Sequence, residues 1–423
     1  MLKVAIVGFG TVGQAVARLL IEGDHKRLQL THIVNRNIDR KKVDWIPPTV
    51  VWTDEMGQVM SSNADVVVEL IGGIDSASEW IRESLRRGKS VVTANKQIIA
   101  ERGPELIALA AKHDCHLLFE AAVAGGVPVI RGVRDGLAGD RLIRLLGILN
   151  GTCNFILTRM EKALVSFDDA LDESKRLGYA EADPSADLDG IDSRAKLAIL
   201  SMVGLRRQLD VNTIPLASIR GIEPIDFIYA RRLNCSIRQV ARAEVLEDAA
   251  EVKAFVRPAL VPLSSHLARV EGNENVVVVS GTFGGETAFS GAGAGGSPTA
   301  VAVVSDLEAI VTGGRFETGQ WLCETEECAV MRDFTERHYV RFIVADSPGI
   351  IGSLATTFSR YAVNIDSVLQ DPGWSKNELP FVITLESCSS KAVDDAMEEI
   401  SGLKFHVRPP LVMPILSGED QPL

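Results

Sequence analysis

A block of acidic residues runs directly into a single lysine near the middle of the chain. Five carboxylates lie within twelve residues, at Glu181, Asp183, Asp187, Asp189 and Asp192. Pro184 and Gly190 predict a loop, and the apolar pattern from Ser193 onward predicts a helix. We therefore expect Asp192 at or near the N-cap, with Lys196 one turn further along on the same face.

The chemistry expected of this block is cation binding or proton transfer. Lys196 is flanked by alanine and leucine, so it would lose hydration if that face is buried, and a desolvated lysine can exchange protons at neutral pH. One alternative is a surface Asp–Lys pair, which the four further acids upstream disfavour. Another is a calcium loop at 187–190, but the distal glutamate and regular ligand alternation of such loops are missing.

A glycine-rich motif follows the first predicted strand. Residues 1–7 are an apolar run typical of a buried strand, and residues 14–20 predict a helix. Between them lie Gly8, Phe9, Gly10, Thr11, Val12 and Gly13. In this context the first glycine makes a tight turn, the second admits a pyrophosphate and the third allows close helix packing, so the motif predicts a dinucleotide site. The alternative is an ordinary glycine-rich turn.

The end of the second predicted strand, 30–34, bears on which nicotinamide cofactor is bound. NAD-preferring sites commonly place an acid there, beside the adenosine ribose. This chain instead has Asn35 and Arg36, with Arg40, Lys41 and Lys42 close behind. Cations without an acid favour the 2′-phosphate of NADP, although they do not exclude NAD. The alternative is a solvated basic turn.

Three further apolar runs complete a predicted parallel sheet. They cover 65–71, which ends in Gly72 and Gly73; 89–96, which carries Asn95 and Lys96 at its C-terminal end; and 115–126. Strands that alternate with helical stretches predict a doubly wound α/β domain, in which the carboxyl ends of the strands face the ligand cleft.

The remaining chain predicts additional domains. A strand over 143–149, a turn over 150–154 and a helix over 155–162 precede the acidic block. A second glycine-rich turn, 291–299, leads into a helix over 300–311 and is either a backbone-amide site or an interdomain hinge. After a charged linker over 325–337, strands at 338–345, 364–370, 381–386 and 405–412 and helices at 350–361 and 391–400 alternate in a ferredoxin-like order. So small a sheet buries little core, so we expect it to pair with a second copy.

Composition narrows the partners and the compartment. The net charge of −12 argues against nucleic acid and anionic membranes, which leaves small metabolites. Six scattered cysteines without a Cys-x-x-Cys pair predict a reducing cytosol. We expect no targeting or membrane-spanning segment, because there is no basic n-region and no long apolar stretch.

Together these motifs closely resemble homoserine dehydrogenase. The segments GFGTVG, TANK, EAAVAGG, GILNGTCN, LGYAEADPSADLDGIDSRAK and GAGAGGSPTA carry the resemblance over essentially the whole chain, and the C-terminal module looks like an amino-acid-binding ACT domain. The resemblance implies a Rossmann-type domain (1–130, with a returning segment 295–320), an α+β catalytic and dimerisation domain (131–294), a linker (325–337) and an ACT domain (338–416). It implies NAD(P)H-dependent reduction of L-aspartate 4-semialdehyde to L-homoserine, in threonine, methionine and isoleucine biosynthesis, by a cytoplasmic homodimer or homotetramer.

The resemblance also implies roles for particular residues. Lys196 would be the acid/base for the carbonyl oxygen, and Lys96 a second catalytic or orienting cation that also borders the cofactor. The substrate-binding residues would be Tyr179, Glu181, Asp187 and Asp192, and Gly72 and Thr93 would line the cofactor cleft. This fits the chemistry, because hydride addition to an aldehyde leaves an alkoxide that a nearby ammonium stabilises and protonates.

Two ligand sites besides the substrate site are implied. Glu120, with the backbone oxygens of Val123, Gly125 and Val127, would match a monovalent-cation site, for an ion such as Na⁺. Its alternative is a buried carboxylate hydrogen-bonded to loop amides. Asp346, Gly349 and Asn364 would line an effector site in the ACT domain, with L-threonine, which lies downstream of homoserine, as the first candidate.

Departures and rival functions complete the expectations. Cys153 and Phe155 stand where the family more often has threonine and tyrosine, and neither position is expected to carry chemistry. Cys153 could instead be the nucleophile of an acylating aldehyde dehydrogenase with His116 as its base, which leaves the Lys196 block unexplained. A non-catalytic amino-acid sensor is the third interpretation, against which the intact GFGTVG motif, Lys96 and Lys196 weigh.

Overall fold

The computed structural model describes residues 1–246, 251–313 and 325–416. These residues form two compact units, each assembled from separate stretches of chain. The first contains Met1–Leu145, Ala195–Asn212 and the described part of Asn275–Cys328. The second contains Leu146–Arg194, the described part of Thr213–Glu274, and the described residues from Ala329 onward. Cys323 and residues 314–320 of the predicted returning segment lie outside the described residues.

The strands of the described residues, numbered in chain order, are β1 (Leu2–Val7), β2 (Leu28–Val34), β3 (Val51–Thr53), β4 (Val66–Glu69), β5 (Ser90–Thr93), β6 (Leu117–Leu118), β7 (Leu142–Ile148), β8 (Arg207–Leu209), β9 (Cys235–Val245), β10 (Glu251–Pro262), β11 (Glu274–Gly281), β12 (Gly285–Ala292), β13 (Glu326–Met331), β14 (Thr335–Val344), β15 (Ile365–Gln370), β16 (Leu379–Ser389) and β17 (His406–Ile415). The helices are α1 (Thr11–Glu22), α2 (Ile38–Lys41), α3 (Met56–Ser61), α4 (Asp75–Arg86), α5 (Lys96–Lys112), α6 (Val129–Arg131), α7 (Gly151–Ala163), α8 (Phe167–Arg176), α9 (Ser185–Leu188), α10 (Ile191–Leu200), α11 (Pro224–Arg232), α12 (His266–Arg269), α13 (Gly296–Val311), α14 (Ile350–Arg360) and α15 (Ser390–Ser401). Short 3-10 turns occur at Glu120–Ala122 and Val211–Thr213, and π-helical turns at Gly132–Gly136 and Ser201–Leu205. Among these helices none combines the length and the apolar character needed to cross a membrane.

The first unit contains a parallel sheet with the strand order β3-β2-β1-β4-β5-β6. The chain starts in the middle of this sheet and moves outward in both directions, which confirms the predicted doubly wound fold. In the register of the sheet Val7 pairs with Glu69, and Glu69 pairs with Thr93. The carboxyl ends of β1, β4 and β5 therefore lie side by side at the point where the strand order reverses, which is where such sheets bind ligands.

Helix α13 packs against α1 in the same unit. Val16 and Leu20 of α1 share a core with Val303 and Leu307 of α13. At the start of the two helices the backbone of Gly296 approaches Thr11 so closely that a Cβ there would lie 2.9 Å from Thr11 Cγ2. The second glycine-rich turn therefore lies next to the first.

The second unit contains a mixed sheet in which the order β9-β10-β17-β14-β16-β15 is continuous. Its last four strands, with α14 and α15, follow the chain order strand-helix-strand-strand-helix-strand and confirm the predicted ferredoxin-like module. Phe342, Phe358, Phe381 and Ile400 belong to the core beneath this module. The amphipathic helices cover one face of the sheet because their apolar stripes match its buried side chains.

Several local predictions differ from the structure. The acidic block is not loop throughout, since α9 forms one helical turn before Gly190, which adopts a φ of +84°. The predicted turn over 150–154 is helical from Gly151, and the strand predicted over 89–96 ends at Thr93. Helix α10 begins at Ile191, so Asp192 lies in its first turn, near the N-cap as predicted. The segment 325–337 contains β13, whose residues 326–328 pair with β8 and 329–331 with β10. Strand β13 shows no alternating pattern in the sequence because little of it is fully buried.

The boundaries of the two compact units differ from those of the predicted domains. Residues 131–145 and 275–294 lie in the first unit, and the ACT strands lie in the second unit with α7 and α11. The reason is that β17 pairs with β10 and that Tyr339, Met413 and Ile415 share a core with Ile156 and Phe227. Pairings between segments so far apart in sequence leave no trace in local composition.

Candidate active site

The glycine motif forms a turn that only glycines can make. Gly8 has a φ of +104°, and a Cβ there would lie 2.7 Å from the carbonyl oxygen of Leu70. A Cβ at Gly13 would lie 2.1 Å from the Gly8 carbonyl oxygen. Gly10 is the N-cap of α1, and a Cβ there would meet nothing within 4 Å among the described residues. The space before the N-terminus of α1 is therefore open, as pyrophosphate binding requires.

The other residues of the motif differ in exposure. The Phe9 side chain is fully buried, with its ring centroid 4.9 Å from that of Trp52, so only its backbone faces the turn. Thr11 is exposed and Val12 half-buried at the start of α1. Asn35 follows β2, and its Oδ1 accepts a hydrogen bond of 3.5 Å from Phe9 N–H. Arg36 beside it is exposed, which leaves its guanidinium accessible to a ligand phosphate.

A buried glutamate that the sequence analysis missed organises the ends of β4 and β5. Glu69 is 1% exposed; it accepts hydrogen bonds from Thr93 Oγ1 at 2.6 Å, Ile71 N–H at 2.9 Å and Gly72 N–H at 3.3 Å. Both residues predicted to line the cofactor cleft, Gly72 and Thr93, are thus held by one carboxylate. The available signal was an acid inside an otherwise apolar strand, where a charge is costly unless it is hydrogen-bonded.

Lys96 is the first residue of α5, at the carboxyl end of the sheet. Asn95 before it caps the helix by accepting from Ile98 N–H at 3.3 Å, and donates from Nδ2 to the Gly73 carbonyl oxygen at 2.7 Å. A cation at a helix N-terminus opposes the helix dipole. The position therefore points to a role in binding an anion or in the reaction.

Asn150 joins two of the predicted substrate carboxylates in the second unit. Its Nδ2 donates to Asp187 Oδ1 at 2.7 Å and to Asp192 Oδ2 at 3.0 Å. Its Oδ1 accepts from Cys153 N–H at 2.9 Å and so caps α7. Asn150 was not predicted, although it stands in the GILNGTCN segment at a helix start, where asparagine is common.

The remaining predicted residues of the acidic block differ in environment. Asp192 and Lys196 are each 9% exposed on α10, one turn apart. Glu181 is exposed, and the exposed Tyr179 packs its ring against Phe155, with centroids 5.0 Å apart. Burial of Lys196 removes the simple surface ion pair as an interpretation, because an exposed pair needs two exposed partners.

The calcium-loop interpretation fails on the contacts of the two aspartates of 187–190. Asp189 Oδ1 accepts from Ser218 Oγ at 2.7 Å and from Arg220 Nε at 3.3 Å. Asp187 Oδ1 faces the amide of Asn150. These oxygens thus have hydrogen-bond donors where a calcium ion would need them as ligands.

Glu120 is buried beside a second acid in the first unit. Its carboxylate accepts from the N–H groups of Ile130 at 2.8 Å and Arg131 at 2.9 Å, and the Arg131 guanidinium lies 3.4 Å away. Its own N–H donates to Asp306 Oδ2 at 2.9 Å. Burial raises the pKa of Glu120, and burial and the nearby Glu120 raise the pKa of Asp306 to about 7. The contacts of the Glu120 side chain are those expected of a buried carboxylate hydrogen-bonded to loop amides.

A second buried amide lies near the predicted cation ligands. Asn275 is 0% exposed, and within the described residues neither its Oδ1 nor its Nδ2 has a hydrogen-bond partner. A Cβ at Gly293 would lie 2.1 Å from Asn275 Oδ1, and a Cβ at Gly125 would lie 2.6 Å from the Gly293 carbonyl oxygen. Gly293 therefore packs tightly against the Asn275 amide, and the loop that carries Gly125 packs against the Gly293 backbone.

Cys153 is unsuited to act as a nucleophile. It is 0% exposed within the core of the second unit, and its thiol lies 3.2 Å from the carbonyl oxygen of Asp187, to which it donates. A thiol that donates to a carbonyl is not a thiolate, and the thiolate is the nucleophilic form. The contact does not favour the acylating aldehyde dehydrogenase interpretation.

The predicted effector residues border two different cavities of the ACT module. Asp346 and Gly349 line a cavity of about 150 Å³ with Val344, Gln370, Leu379 and Phe381. Asn364 lines another cavity of about 450 Å³, with Ser359 and Ile365. The structure therefore separates Asn364 from the other two.

Comparisons with known proteins point to one family over most of the chain. The family model described as homoserine dehydrogenase matches residues 128–307. The model of the homoserine dehydrogenase NAD binding domain matches residues 8–120, and the ACT domain model matches residues 338–405. A Synechocystis homoserine dehydrogenase is 35% identical over 98% of this chain and 99% of its own length. The crystal structure of a homoserine dehydrogenase from Thiobacillus denitrificans has a TM-score of 0.89 at 30% identity and covers 98% of both chains. A hyperthermophilic archaeal homoserine dehydrogenase in complex with NADPH has a TM-score of 0.62 at 28% identity, over 74% of this chain and 98% of that chain.

Two alanine substitutions in the glycine motif should separate ligand binding from folding. We expect Gly10→Ala to keep the melting temperature of the free protein, because the methyl group enters open space, but to weaken cofactor binding about tenfold or more. Gly13→Ala should lower the melting temperature, since overpacking against the Gly8 carbonyl costs about 1–3 kcal/mol. Thermal melts and cofactor titrations of both variants check this, and unchanged cofactor affinity in Gly10→Ala would contradict it.

The buried Asp306 should make stability depend on pH. Its pKa is about 7 in the folded protein against an ordinary 3.8, so the folded state keeps a proton that the unfolded state has released. Stability is therefore lost as the pH rises from about 4 to about 7. In the Asp306→Asn variant the asparagine still accepts the hydrogen bond from Glu120 N–H but does not titrate. The wild-type protein alone therefore loses this stability, and the melting temperature of Asp306→Asn minus that of wild type should increase between pH 5 and 8. The exposed Asp135→Asn is the control, and a constant difference for Asp306→Asn would contradict the assignment.

Proposed function

This chain belongs to the homoserine dehydrogenase family of NAD(P)-dependent oxidoreductases, and on that premise we propose how its residues carry out the reduction of L-aspartate 4-semialdehyde to L-homoserine. One observation supports the proposal most strongly. Asp187 and Asp192 share one amide donor, and Asp192 lies in the first turn of the helix that carries the buried Lys196. One short segment thus carries two carboxylates, Asp187 and Asp192, for the substrate ammonium, followed by Lys196 as the cation for the reacting oxygen.

The acidic turn binds the amino end of the substrate. An ionised carboxylate has about four acceptor positions, and the Asn150 amide occupies one on Asp187 and one on Asp192. The substrate α-ammonium supplies three donors and a positive charge, which offsets the repulsion between Asp187 and Asp192. Glu181 adds a further carboxylate at the exposed edge of the block, and Tyr179 contributes contact area there.

Lys196 supplies the proton. A bound nicotinamide cofactor provides the hydride for the aldehyde carbon, which leaves negative charge on the oxygen. The Lys196 ammonium stabilises this charge and then donates its proton to it. In the reverse direction neutral Lys196 takes the hydroxyl proton of homoserine. Asp192, one turn away on α10, orients the lysine.

The cofactor residues belong to the sheet edge of the first unit. The NAD-binding match covers them, and the chain binds a nicotinamide cofactor. The open N-terminus of α1 holds the pyrophosphate, and Gly72 and Thr93, fixed by Glu69, border the cleft. Lys96, at the start of α5, borders the cofactor and is the second catalytic or orienting cation. NADP is the preferred form, because the exposed Arg36 can pair with a 2′-phosphate.

A monovalent cation such as Na⁺ would bind in the loop after Glu120. Its ligands would be the carbonyl oxygens of Val123, Gly125 and Val127, and the fully buried Asn275 amide offers a further oxygen near Gly125. Glu120 contributes negative charge next to this loop, while its carboxylate oxygens bind the Ile130 and Arg131 amides.

The ACT domain supports feedback regulation by an amino acid. Asp346 and Gly349 border the effector cavity, and L-threonine is the candidate ligand. Asn364 lines a separate cavity and would contribute only if a second copy of the module completes the site. Such pairing makes the protein a homodimer or a homotetramer.

Compartment and domain roles follow the same proposal. The protein works in the cytoplasm, which is supported by free thiols at all five described cysteines. The functional domains remain those predicted, with residues 1–130 and 295–320 for the cofactor, 131–294 for catalysis and dimerisation, 325–337 as the connection and 338–416 for the effector.

Removal of the Lys196 ammonium should abolish turnover without loss of cofactor. We expect Lys196→Ala to lower kcat by about 10²- to 10⁴-fold, the usual contribution of a positioned acid/base, with an unchanged cofactor dissociation constant. NADPH oxidation with L-aspartate 4-semialdehyde measures kcat, and cofactor fluorescence measures binding. The exposed Lys162→Ala is the matched control and should keep wild-type kcat. A Lys196→Ala enzyme with more than a tenth of wild-type kcat would show that the assignment is wrong.

Substitution of Arg36 should change the choice of cofactor. We expect Arg36→Ala to weaken NADPH by roughly tenfold or more, since a charge-assisted hydrogen bond contributes about 1.5–3 kcal/mol, and to leave NADH nearly unaffected. The measurement is the ratio of the two dissociation constants. Equal weakening of both cofactors would mean that Arg36 is a solvated surface cation without a phosphate partner.

A further inference from the structure

A buried arginine on the ACT sheet binds the residues at the start of α11. Arg341 of β14 is 2% exposed; it donates to Glu223 Oε1 at 2.7 Å and to the Gly221 carbonyl oxygen at 2.8 Å, and its Nε lies 2.9 Å from Asp226 Oδ1. Tyr339, two residues earlier on the same strand, donates to Asp226 Oδ1 at 2.7 Å. The backbone over 221–226 is therefore fixed to β14 by several charged contacts.

The residues just before this segment hold the acidic turn. Ile219 N–H donates to the Leu188 carbonyl oxygen at 3.1 Å, and Ser218 Oγ donates to Asp189 Oδ1 at 2.7 Å. Arg220 donates to the same Asp189 oxygen at 3.3 Å. Residues 218–220 thus bind the chain directly after Asp187, through the carbonyl oxygen of Leu188 and the carboxylate of Asp189.

Apolar packing joins the same three parts. Leu188, Ile219, Ile222 and Tyr339 are at most 1% exposed and belong to one core cluster. Residues 218–226 are called here the connecting segment. Because buried side chains fill the space between β14, this segment and the acidic turn, a displacement of β14 also displaces the segment and the turn. Close-packed interiors transmit such displacements.

We propose that Arg341 is a positioning residue for the substrate carboxylates, acting through the connecting segment on the turn that carries Asp187. The inference rests on the proposed role of Asp187 in binding the substrate. Arg341 touches neither substrate nor cofactor; it sets where Asp187 and its partner Asp192 stand at Asn150.

The proposal also gives the ACT cavity a route to the active site. Val344 lines that cavity and lies on β14, as Tyr339 and Arg341 do. An amino acid that binds there and prefers one position of β14 shifts the connecting segment, and with it the substrate affinity. All members of this route belong to the second unit.

Kinetics of full-length variants test the proposal. Arg341→Lys keeps the buried charge but cannot reach Gly221, Glu223 and Asp226 together, because it has lost the guanidinium fork. Ser218→Ala removes the hydroxyl that binds Asp189, and Ser218→Thr keeps it. The control is Arg337→Lys, on the same strand, whose arginine pairs with Asp366 at 2.8 Å within the ACT sheet. KM for homoserine, KM for the cofactor, kcat and inhibition by threonine are measured for each.

The expected result is a selective change in substrate binding. Arg341→Lys and Ser218→Ala should raise KM for homoserine by about fivefold or more, with KM for the cofactor unchanged, and should weaken inhibition by threonine if wild type is inhibited. Ser218→Thr and Arg337→Lys should match wild type. Unchanged KM for homoserine in both Arg341→Lys and Ser218→Ala overturns the proposal, as does an equal rise in the KM of substrate and cofactor. Asp187→Asn separates the two levels, because an unchanged KM for homoserine in that variant refutes the role of Asp187 itself.

Discussion

The side chain of Asn150 holds two carboxylates beside each other, and much of the second unit serves to make that arrangement stable. Asp187 and Asp192 repel each other, and burial of Asp192 removes water that would screen the repulsion. The amide donates to both, and its own oxygen is fixed at the N-terminus of α7. The result is a pair of carboxylates held at a fixed separation by one neutral amide.

Burial of charge recurs in the first unit, where it shapes the cofactor cleft. Glu69 would be costly at the end of an apolar strand, but one donor on β5 and two in the loop after β4 satisfy its carboxylate and thereby fix Gly72 and Thr93. Glu120 and Asp306 lie close together, and burial with the nearby Glu120 raises the pKa of Asp306 to about 7. In both places a buried carboxylate accepts hydrogen bonds from backbone amides and so fixes the course of the nearby chain.

The ionic cluster around Arg341 joins the ACT sheet to residues 221–226. A buried ion cluster contributes little net stability, since hydrophobic residues of similar volume often do as well. The cluster instead fixes the position of residues 221–226 on β14, because a guanidinium fork has one geometry in which it contacts Gly221, Glu223 and Asp226 together. The ACT sheet therefore shares both a core and a polar lock with the segment that supports the acidic turn, and the two do not form separate compact units.

Local sequence determined the elements whose signals are themselves local. Glycine spacing at 8–13, strand runs that alternate with helices, and the ferredoxin-like order of the last module predicted the folds of both units, because turn geometry and apolar periodicity act over a few residues. The types and spacing of Asp187, Asp192 and Lys196 indicated the chemistry for the same reason. Only the tertiary structure decided that Glu69 organises the cleft, that Asn150 joins the carboxylates and that Arg341 grips α11, since each depends on partners far away along the chain. Such pairings are set by packing and by the cost of unsatisfied buried charge, and neither leaves a pattern in the nearby sequence.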